Sequence, residues 1–290
     1  MASMREIKRR RGSIQSTQQI TKAMKLVATV KLQKARQRAE NSKPYFQYMY
    51  KTVTSMLAKA GNVEHPYLQG GKSKNVGIVV ITSNRGLAGG YNSNIAKMVQ
   101  TCGVAKENVR LYAVGKKGMD MLLRKGYELA GNFSDMIEEP TFEDAKQLSD
   151  RLLKDFTAGE IGEIYVAYTE FKNTVVHIPK MVKLLPVDAN AVVEDDSQVS
   201  DVDKLTLMNF EPSEEEAIGL LVPKYVTSIL YGAFVEAVAS ENGARMQAMD
   251  SATNNAEEII SDLELKYNRA RQGAITQELT EIIAGANAIG

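Results

Sequence analysis

Apolar residues recur at helical spacing in a long segment at the start of the chain. This segment carries an apolar stripe on an otherwise polar surface, made of Ile7, Ile14, Ile20, Met24 and Val27. Residues 13–43 contain neither glycine nor proline, and Gly61 is a natural helix stop. Pro44 predicts a kink or a break, because proline removes a backbone hydrogen bond from a helix. We therefore predict a long N-terminal helix over residues 1–61.

A second long helix is predicted over residues 213–285, within a C-terminal coiled-coil part that spans residues 213–290. Ser213 and Glu216 have the spacing of a capping box, and Gly285 is the expected stop. A sustained apolar repeat in steps of three and four runs through Met246, Met249, Thr253, Ala256, Ile260, Leu263, Tyr267, Ala270 and Ala274. A helix over residues 4–60 would be about 85 Å long, whereas a compact chain of this length has a radius of gyration of about 19 Å. We therefore expect the two long helices to pair and to project from the rest of the molecule.

The region between these helices, residues 70–187, alternates strand and helix signals. Strands are predicted over residues 76–82, 109–114, 164–170 and 175–185. Helices are predicted over residues 92–102, 115–125 and 141–157. The last two strands flank Lys172–Asn173, which is typical of a hairpin turn. This order predicts a mostly parallel sheet with helices on its faces and one antiparallel edge strand, inserted between the N- and C-terminal helices.

The formal net charge of +1 hides a strong segregation of charge along the chain. Residues 1–60 hold fourteen lysines and arginines against two glutamates, a net charge of +12, so the remainder carries −11. The acidic excess is densest in a connecting segment, residues 188–212, and in the glutamates that follow it. Segregated charge favours an anionic partner for the basic segment, although a solvated helix face explains it equally well.

Composition limits the remaining classes of protein. A hydrophobic content of 44% supports a packed core and argues against a wholly disordered chain. The unbroken apolar runs are far shorter than the roughly 18 residues that cross a bilayer. Cys102 is the single cysteine, which excludes a disulfide framework and suits a reducing compartment. No apolar segment of the signal-peptide type follows the N-terminus.

The sequence contains only weak matches to nucleotide-binding and metal-binding motifs. Gly86, Gly89 and Gly90 lie between a predicted strand and a predicted helix, where dinucleotide folds hold phosphate, but their spacing differs from G-x-G-x-x-G. The sequence Gly115–Gly118 lacks the upstream glycine and the Ser or Thr of a P-loop. His65 and His177 lack neighbouring ligands at metal-binding spacing. We predict no catalytic residue, no cofactor and no metal, and interpret the glycines as requirements of a tight turn.

Three segments resemble the gamma subunits of F-type ATP synthases. The first is REIKRRRGSIQSTQQITKAMKLVA at residues 5–28, and the second is YNRARQGAITQELTEIIAGA at residues 267–286. The turn TSNRGLAGGYN at residues 82–92 is similar to the central-domain turn of the same family. These motifs follow the family order along the whole chain, so the chain is identified from its sequence as resembling this family throughout.

The resemblance implies an architecture and a function. It implies an α/β fold with a Rossmann-like, mostly parallel sheet domain, and an antiparallel coiled coil of the terminal helices. In such subunits the coiled coil is the central stalk inside three alpha and three beta subunits, and the foot meets the epsilon subunit and the membrane c-ring. Proton flow turns the stalk and drives ATP synthesis on the beta subunits, so the gamma subunit itself is not an enzyme. The implied location is the cytoplasmic face of the inner membrane, as a peripheral protein.

The resemblance also implies roles for individual residues. Basic residues of the first helix would face acidic levers on the beta subunits, namely Arg9, Arg10, Lys22 and Lys25. Met24 would pack near residues of the partner helix, namely Arg245, Gln272, Thr276 and Glu278. The last turns would form an apolar tip in the upper bearing, from Leu279, Ile282 and Ile283. The segment 205–211 would meet the c-ring through Leu205, Phe210 and Glu211, and Pro44 would bend the first helix rather than break it.

Two other classes of function remain open from the residues alone. A basic coiled coil binds nucleic acid through phosphate contacts, but the aromatic residues of this segment lie at 45–50, away from its densest charge. A nucleotide-dependent enzyme could be built on the α/β region. Salt-dependent retention on DNA would support the first alternative, and binding of ATP or NAD to the isolated chain would support the second.

Overall fold

A computed structural model describes residues 4–59, 65–71, 73–187 and 213–289 of the protein. Two of its helices are very long: α1 spans Met4–Lys59 and, at the other end of the chain, α6 spans Glu214–Ile289. At a rise of 1.5 Å per residue these helices are about 84 Å and about 114 Å long. Pro44 lies inside α1 and Pro223 inside α6, so neither proline ends its helix.

The ends of the long helices agree only in part with the sequence prediction. Ser213 caps α6, because its Oγ accepts the backbone N–H of Glu216 at 3.2 Å. The expected stop at Gly285 is wrong, since α6 continues to Ile289. A glycine inside a helix costs only about 1 kcal/mol relative to alanine. A single glycine among alanine and isoleucine neighbours therefore does not end this helix.

Between the long helices, the described residues form four shorter α-helices and five strands. The helices are α2 (Pro66–Gln69), α3 (Tyr91–Gln100), α4 (Lys116–Leu123) and α5 (Phe142–Thr157). The strands are β1 (Val76–Ile81), β2 (Val109–Val114), β3 (Glu128–Asn132), β4 (Glu163–Phe171) and β5 (His177–Leu185). A capping box starts α5, because Thr141 and Asp144 each bond the backbone N–H of the other.

The strands form one sheet in the order β3-β2-β1-β4-β5. The strands β1, β2, β3 and β4 are parallel, and β5 pairs antiparallel with β4. This confirms the predicted mostly parallel sheet with one antiparallel edge strand. Strand β3 was not predicted, because its sequence ELAGN has no β-branched residue and both of its ends are exposed.

Both faces of the sheet are covered. On one face Val79 and Ile81 pack with α5 and with residues of α6 such as Phe234. On the other face Ile78 and Val80 pack with apolar residues of α3 and α4, including Ile95 and Leu122. Strand β1 is buried along its whole length, which explains its continuous apolar sequence VGIVVI.

The chain divides into two compact units. One unit comprises Met1–Thr29 and Arg245–Gly290, and we call it the terminal pair. The other comprises Val30–Ala244 and contains the whole sheet, and we call it the α/β unit. The second part of α1 and the first part of α6 therefore belong to the α/β unit.

Among the described residues, α6 alone is long and apolar enough to cross a membrane by length and composition, but more than half of its most apolar window is buried in the protein.

Candidate functional site: the paired terminal helices

Three side-chain contacts fix how the two helices of the terminal pair run past each other. The Thr253 hydroxyl bonds the Thr21 hydroxyl at an O–O distance of 2.8 Å. Lys25 Nζ lies 2.6 Å from Asp250 Oδ1, and Arg11 Nη1 lies 3.7 Å from Glu264 Oε1. In each contact the two residue numbers add up to 274 or 275, so residues further along α1 meet residues earlier on α6. The helices therefore pair antiparallel, as the family resemblance implied.

The seam between these helices is made of small and medium side chains. From α1 it buries Ile7, Thr21 and Ala28, and from α6 it buries Met249, Ala256 and Leu263. Alanine and threonine at the seam let the two backbones approach closely, and the Thr21–Thr253 bond satisfies polar groups that would otherwise be buried without a partner. The apolar repeat predicted on α6 is thus the seam over most of its length, although its last position, Ala274, is exposed.

The stripe predicted on α1 is wrong at two of its five positions. Ile20 is 60% exposed and Val27 is 58% exposed, whereas the neighbouring Thr21 and Ala28 are buried. The seam on α1 follows the small residues rather than the bulky ones, because a heptad repeat from Ile7 arrives at positions 21 and 28. A pattern search that favours large apolar residues selects the adjacent positions instead.

This shift leaves an apolar outer surface on α1. Ile20 and Val27 flank the buried seam positions 21 and 28, Leu26 lies next to Val27 along the chain, and all three residues are more than half exposed. Large aliphatic side chains in such numbers are unusual on the solvent face of a coiled coil. We call these three residues the outer apolar face of α1, and sequence reasoning missed it because it assigned Ile20 and Val27 to the seam.

The predicted packing of Met24 against the end of α6 is wrong. The register places Met24 level with about residue 251, beside the Lys25–Asp250 contact. Gln272 lies some 21 residues further along α6, which corresponds to about 32 Å, and Thr276 and Glu278 lie further still. The hydroxyl of Thr276 bonds instead to the carbonyl of Gln272 on its own helix, at 2.9 Å. In this antiparallel register the end of α6 lies near and beyond the start of α1, not level with Met24.

The four predicted basic contact residues occupy two kinds of environment. Arg9, Arg10 and Lys22 are exposed. Lys25 is half-buried and paired with Asp250, so it stabilises the pair rather than presenting a free charge. Arg245 stands where α6 enters the terminal pair and has a partner of its own. Sequence reasoning missed Arg11, which contacts Glu264 and lies 6.0 Å from the ring centre of Tyr267.

The end of α6 is exposed on all sides. The register places Met4 level with about residue 271, and every side chain from Arg271 to Asn287 is exposed. Leu279, Ile282 and Ile283 are 54%, 63% and 59% exposed. An isolated amphipathic end of this kind leaves apolar surface that a partner would have to cover.

Some predicted residues lie outside the described part of the chain. Leu205, Phe210 and Glu211, which the resemblance assigned to the c-ring contact, belong to the segment 188–212, for which the structure gives no description. Their assignment stays a prediction, as does the division of the chain into the four predicted parts.

The glycine-rich edge of the sheet has its own backbone donors occupied. At the start of α4, the N–H of Lys116 bonds Asn84 Oδ1, and that of Lys117 bonds the carbonyl of Ser83. The N–H of Gly118 bonds Thr82 Oγ1 at 2.9 Å. These are the donors that a phosphate would need at a helix N-terminus. At Gly115–Gly118, the arrangement therefore favours a structural turn over a phosphate site.

Two glycines make this close packing possible. A methyl group on Gly115 would lie 2.0 Å from the Thr82 carbonyl oxygen, and one on Gly118 would lie 2.6 Å from the Thr82 side chain. Gly115 also has a φ of 112°, which side-chain-bearing residues rarely adopt. Within the described ranges, no group of three or more His, Cys, Asp or Glu side chains is placed to hold a metal ion.

Comparison with known proteins extends this picture. A family model described as ATP synthase matches residues 3–289. The chain is 62% identical over 290 residues to the ATP synthase gamma chain of Lachnoclostridium phytofermentans, covering 100% of both chains. It is 41% identical over 299 residues to the sodium ion specific ATP synthase gamma chain of Acetobacterium woodii, covering 99% of both.

Solved structures show the same fold. A chain of the Euglena gracilis mitochondrial ATP synthase, in a complex of F1 with the c-ring, aligns with a TM-score of 0.71 at 22% identity, covering 99% of this chain and 94% of that one. A chain of the Tetrahymena thermophila mitochondrial ATP synthase central stalk and c-ring aligns with a TM-score of 0.58 at 26% identity, covering 80% of this chain and 99% of that one.

Fold and site together define an α/β protein whose two long terminal helices pair antiparallel. Its sheet edge is closed by its own side chains, and its terminal helices pair antiparallel. The two gamma chains named above match this chain over nearly their full length. The chain belongs to the gamma-chain family of the ATP synthases.

Proposed function

We propose that this chain is the rotating central stalk of an F-type ATP synthase and couples ion flow through the membrane sector to ATP synthesis on the beta subunits. The observation that carries the proposal is the antiparallel terminal pair, which has one seam and an extensive outward-facing surface. A stalk that turns inside a ring of subunits needs internal contacts that persist while its outer contacts change. The seam supplies the first kind of contact, and the outer apolar face and the end of α6 supply surface for the second.

The proposed partners are three alpha and three beta subunits, the epsilon subunit and the membrane c-ring. Exposed Arg9, Arg10 and Lys22 are available to acidic groups on the beta subunits. Two unit charges about 4 Å apart at an effective dielectric constant of about 20 interact by roughly 4 kcal/mol before the cost of desolvation. Three equivalent beta subunits would offer the same contact at each third of a turn, so such pairs would guide rotation without locking it.

The apolar end of α6 is the proposed upper bearing. Leu279, Ile282 and Ile283 are exposed in the isolated chain, so burying them in a sleeve of alpha and beta subunits would be favourable. The proposed location follows from the same assembly: a protein peripheral to the membrane, at the cytoplasmic face of the inner membrane. We propose protons as the coupling ion, and because a sodium-specific relative shares 41% identity, the assay below measures both ions.

A truncation in the assembled enzyme tests the proposal. We expect deletion of residues 276–290 to impair ATP-driven ion pumping in vesicles strongly, while the beta subunits still bind nucleotide. Pumping is measured once with a pH-sensitive dye and once as sodium uptake. The matched control is Thr280→Ala, an exposed position on the same turns of the helix. The control should pump normally.

Two results would contradict the proposal. If the truncated enzyme pumped as well as the control, the end of α6 would have no bearing role. If the full chain failed to co-purify with an alpha–beta hexamer, its assignment as a central stalk would be wrong altogether. Replacing Leu279, Ile282 and Ile283 by serine separates the apolar contact from the mere length of the helix.

A further inference from the structure

Both histidines of the chain contact α6 at a glycine within the α/β unit. His65 lies just before α2. A Cβ atom added to Gly219 would be 3.6 Å from the Nε2 of His65. His177, the first residue of β5, lies much closer: a Cβ on Gly243 would be 2.5 Å from its Cε1 and 2.9 Å from its Nε2. The ring of His177 therefore rests on the helix backbone at a position where a side chain is missing.

The ring of His177 is held from the other side by the β4–β5 hairpin. His177 pairs with Phe171 in the antiparallel register, and the two ring centres are 5.9 Å apart. One step along the same sheet face, the hydroxyl of Ser240 on α6 bonds the carbonyl of Thr169 on β4 at 3.0 Å. The end of the hairpin is thus attached to α6 by the Ser240 bond and by the imidazole ring.

The surroundings of the ring nitrogens favour the neutral imidazole over the charged form. Within the part of the chain that the structure describes, Nδ1 and Nε2 are both buried and neither makes a hydrogen bond of standard geometry. Burial lowers the pKa of His177 below its usual 6.5, and the backbone of Thr174 opposes this effect only in part. A charged imidazolium has two N–H donors that need partners or water.

The charged groups of the surrounding elements do not compensate for a positive charge on this ring. Strand β4 carries Glu170, which pairs with Lys180 of β5 at 3.6 Å. The hairpin turn carries Lys172, and α6 carries Glu236 and Glu241, both of which have interactions of their own. None of these groups is a cause of the lowered pKa of His177. Protonation of His177 can therefore only weaken its contact with α6.

We propose that His177 is a proton-sensitive clamp, whose neutral ring fastens the end of the β4–β5 hairpin to α6 at Gly243 and whose protonated form releases it. Protonation requires hydration of the ring nitrogens, and water reaches them only if the ring leaves the helix backbone. The ring then draws the start of β5 away from α6, while the rest of the sheet keeps its pairing. This proposal concerns the chain itself and does not depend on the stalk function.

The direction of the pH effect follows from the sign of the pKa shift. The pKa of His177 is lower in the clamped form than in the released form, so the released form binds more protons. The clamp is therefore complete above about pH 6.5 and weakens as the pH falls below that value. Within this window the released population rises by up to about tenfold per pH unit.

Because the chain has only two histidines, their titration can be assigned without ambiguity. The full chain is labelled at histidine Cε1 and titrated by NMR, with His65→Asn to leave His177 as the only signal. Asparagine preserves a cap on α2, where His65 Nδ1 now accepts the N–H of Tyr67. Amide hydrogen exchange is measured in parallel for residues 171–178 and 238–244, corrected for the intrinsic effect of pH with an unstructured peptide.

We expect His177 to titrate below pH 6.5 and the corrected exchange of residues 171–178 to rise with its protonation, by up to about tenfold per pH unit. Exchange in β1 and β2 should stay unchanged, because the hairpin end opens locally. If His177 titrated like a free imidazole near pH 6.5, or if the hairpin exchange did not follow its titration, the proposal would be wrong.

Two variants keep the test independent of folding defects. Gly243→Ala places a methyl group against Cε1, and the ring is the part that can move, so the hairpin should exchange fast at neutral pH as well and His177 should titrate normally. His177→Phe keeps a flat ring without a titrating group, so the hairpin exchange should become independent of pH. If His177→Phe kept the pH dependence of the unmodified chain, another group would be responsible and the clamp would be refuted.

Discussion

The interiors of the α/β unit and the terminal pair are built from different side chains. In the α/β unit the fully buried residues include many large ones, among them Phe234, Tyr112 and Leu152. In the terminal pair the most deeply buried residues include Ala28, Met249 and Ala256, and two threonines bond across the seam. Burial of a large apolar side chain contributes about 1.5–3 kcal/mol, and alanine contributes much less. The α/β unit is therefore stabilised mainly by the volume of its core.

The terminal pair depends on its register instead. Its contacts recur along one seam, and most of its remaining side chains face outward. Close approach of two helix backbones, helped by small residues, keeps the pair together without a wide core. The comparison teaches that one chain can contain a region whose stability comes from packing and another whose surface is kept available for partners. The predictions below test this difference.

The largest effect is expected from a cavity in the α/β unit. Phe234→Ala should lower the free energy of unfolding by about 3–5 kcal/mol, because the side chain is completely buried. Urea unfolding followed by tyrosine fluorescence measures this, since eleven of the twelve tyrosines lie in the α/β unit.

In the terminal pair, Leu263→Ala should lower the free energy of unfolding by about 2 kcal/mol, near the lower limit for such changes, because a seam open on two sides can close around the gap. An equal loss of unfolding free energy at both sites would contradict the difference between the α/β unit and the terminal pair.

A disulfide across the seam tests the register directly. Thr21→Cys combined with Thr253→Cys, in a Cys102→Ser background, should oxidise readily because the two hydroxyl oxygens are 2.8 Å apart. The bond should stabilise the terminal pair by about 2–4 kcal/mol. Gel mobility without reductant measures its formation. The matched pair Met24→Cys with Thr276→Cys should remain reduced, and its efficient oxidation would show that the antiparallel register is different.

A buried hydrogen-bond network in the α/β unit should give an intermediate effect. The hydroxyl of Tyr112 donates to Asp155 Oδ2 at 2.6 Å, and Arg151 Nε donates to both oxygens of the same carboxylate. Burial, followed by the bond to Asp155, raises the pKa of Tyr112, so the phenol stays neutral and donates. Tyr112→Phe should cost about 1.5–3 kcal/mol, as for hydrogen bonds to charged groups.

A more exposed tyrosine provides the control for this network. The hydroxyl of Tyr165 donates to Glu163 at 2.9 Å, but this pair is only part-buried. Tyr165→Phe should therefore change the urea midpoint less than Tyr112→Phe. A larger change at Tyr165 would mean that burial is not what gives the Tyr112 bond its strength.

The smallest effect is expected for the ion pair of the terminal pair. Lys25 and Asp250 are 2.6 Å apart, but their side chains are 39% and 47% exposed. A double-mutant cycle of Lys25→Ala and Asp250→Ala should give a coupling energy of about 0.2–1 kcal/mol. The coupling should become smaller at about 1 M salt, where charges are screened within about 3 Å. A coupling that is independent of salt would indicate a bond shielded from water.

The sheet was largely predictable because its signals are local. The apolar run of β1, the capping box of α5 and the hairpin of β4 and β5 each depend on a few neighbouring residues. Strand β3 escaped prediction because its sequence is polar and rich in small residues, and its place is decided by pairing with β2. The site was predictable only as two long helices that pair.

The sequence by itself determined that both ends of this chain form long helices, that a mostly parallel sheet lies between them, and that the family motifs belong to ATP synthase gamma chains. Each of these follows from periodicity or from a continuous motif within one segment. The tertiary structure alone decided that Thr21 and Ala28, not Ile20 and Val27, form the seam, that Met24 lies level with residue 251 rather than 276, and that the ring of His177 rests on Gly243. Each of these depends on which face and which level of one element meets another, and a single helix carries several faces of similar hydrophobicity.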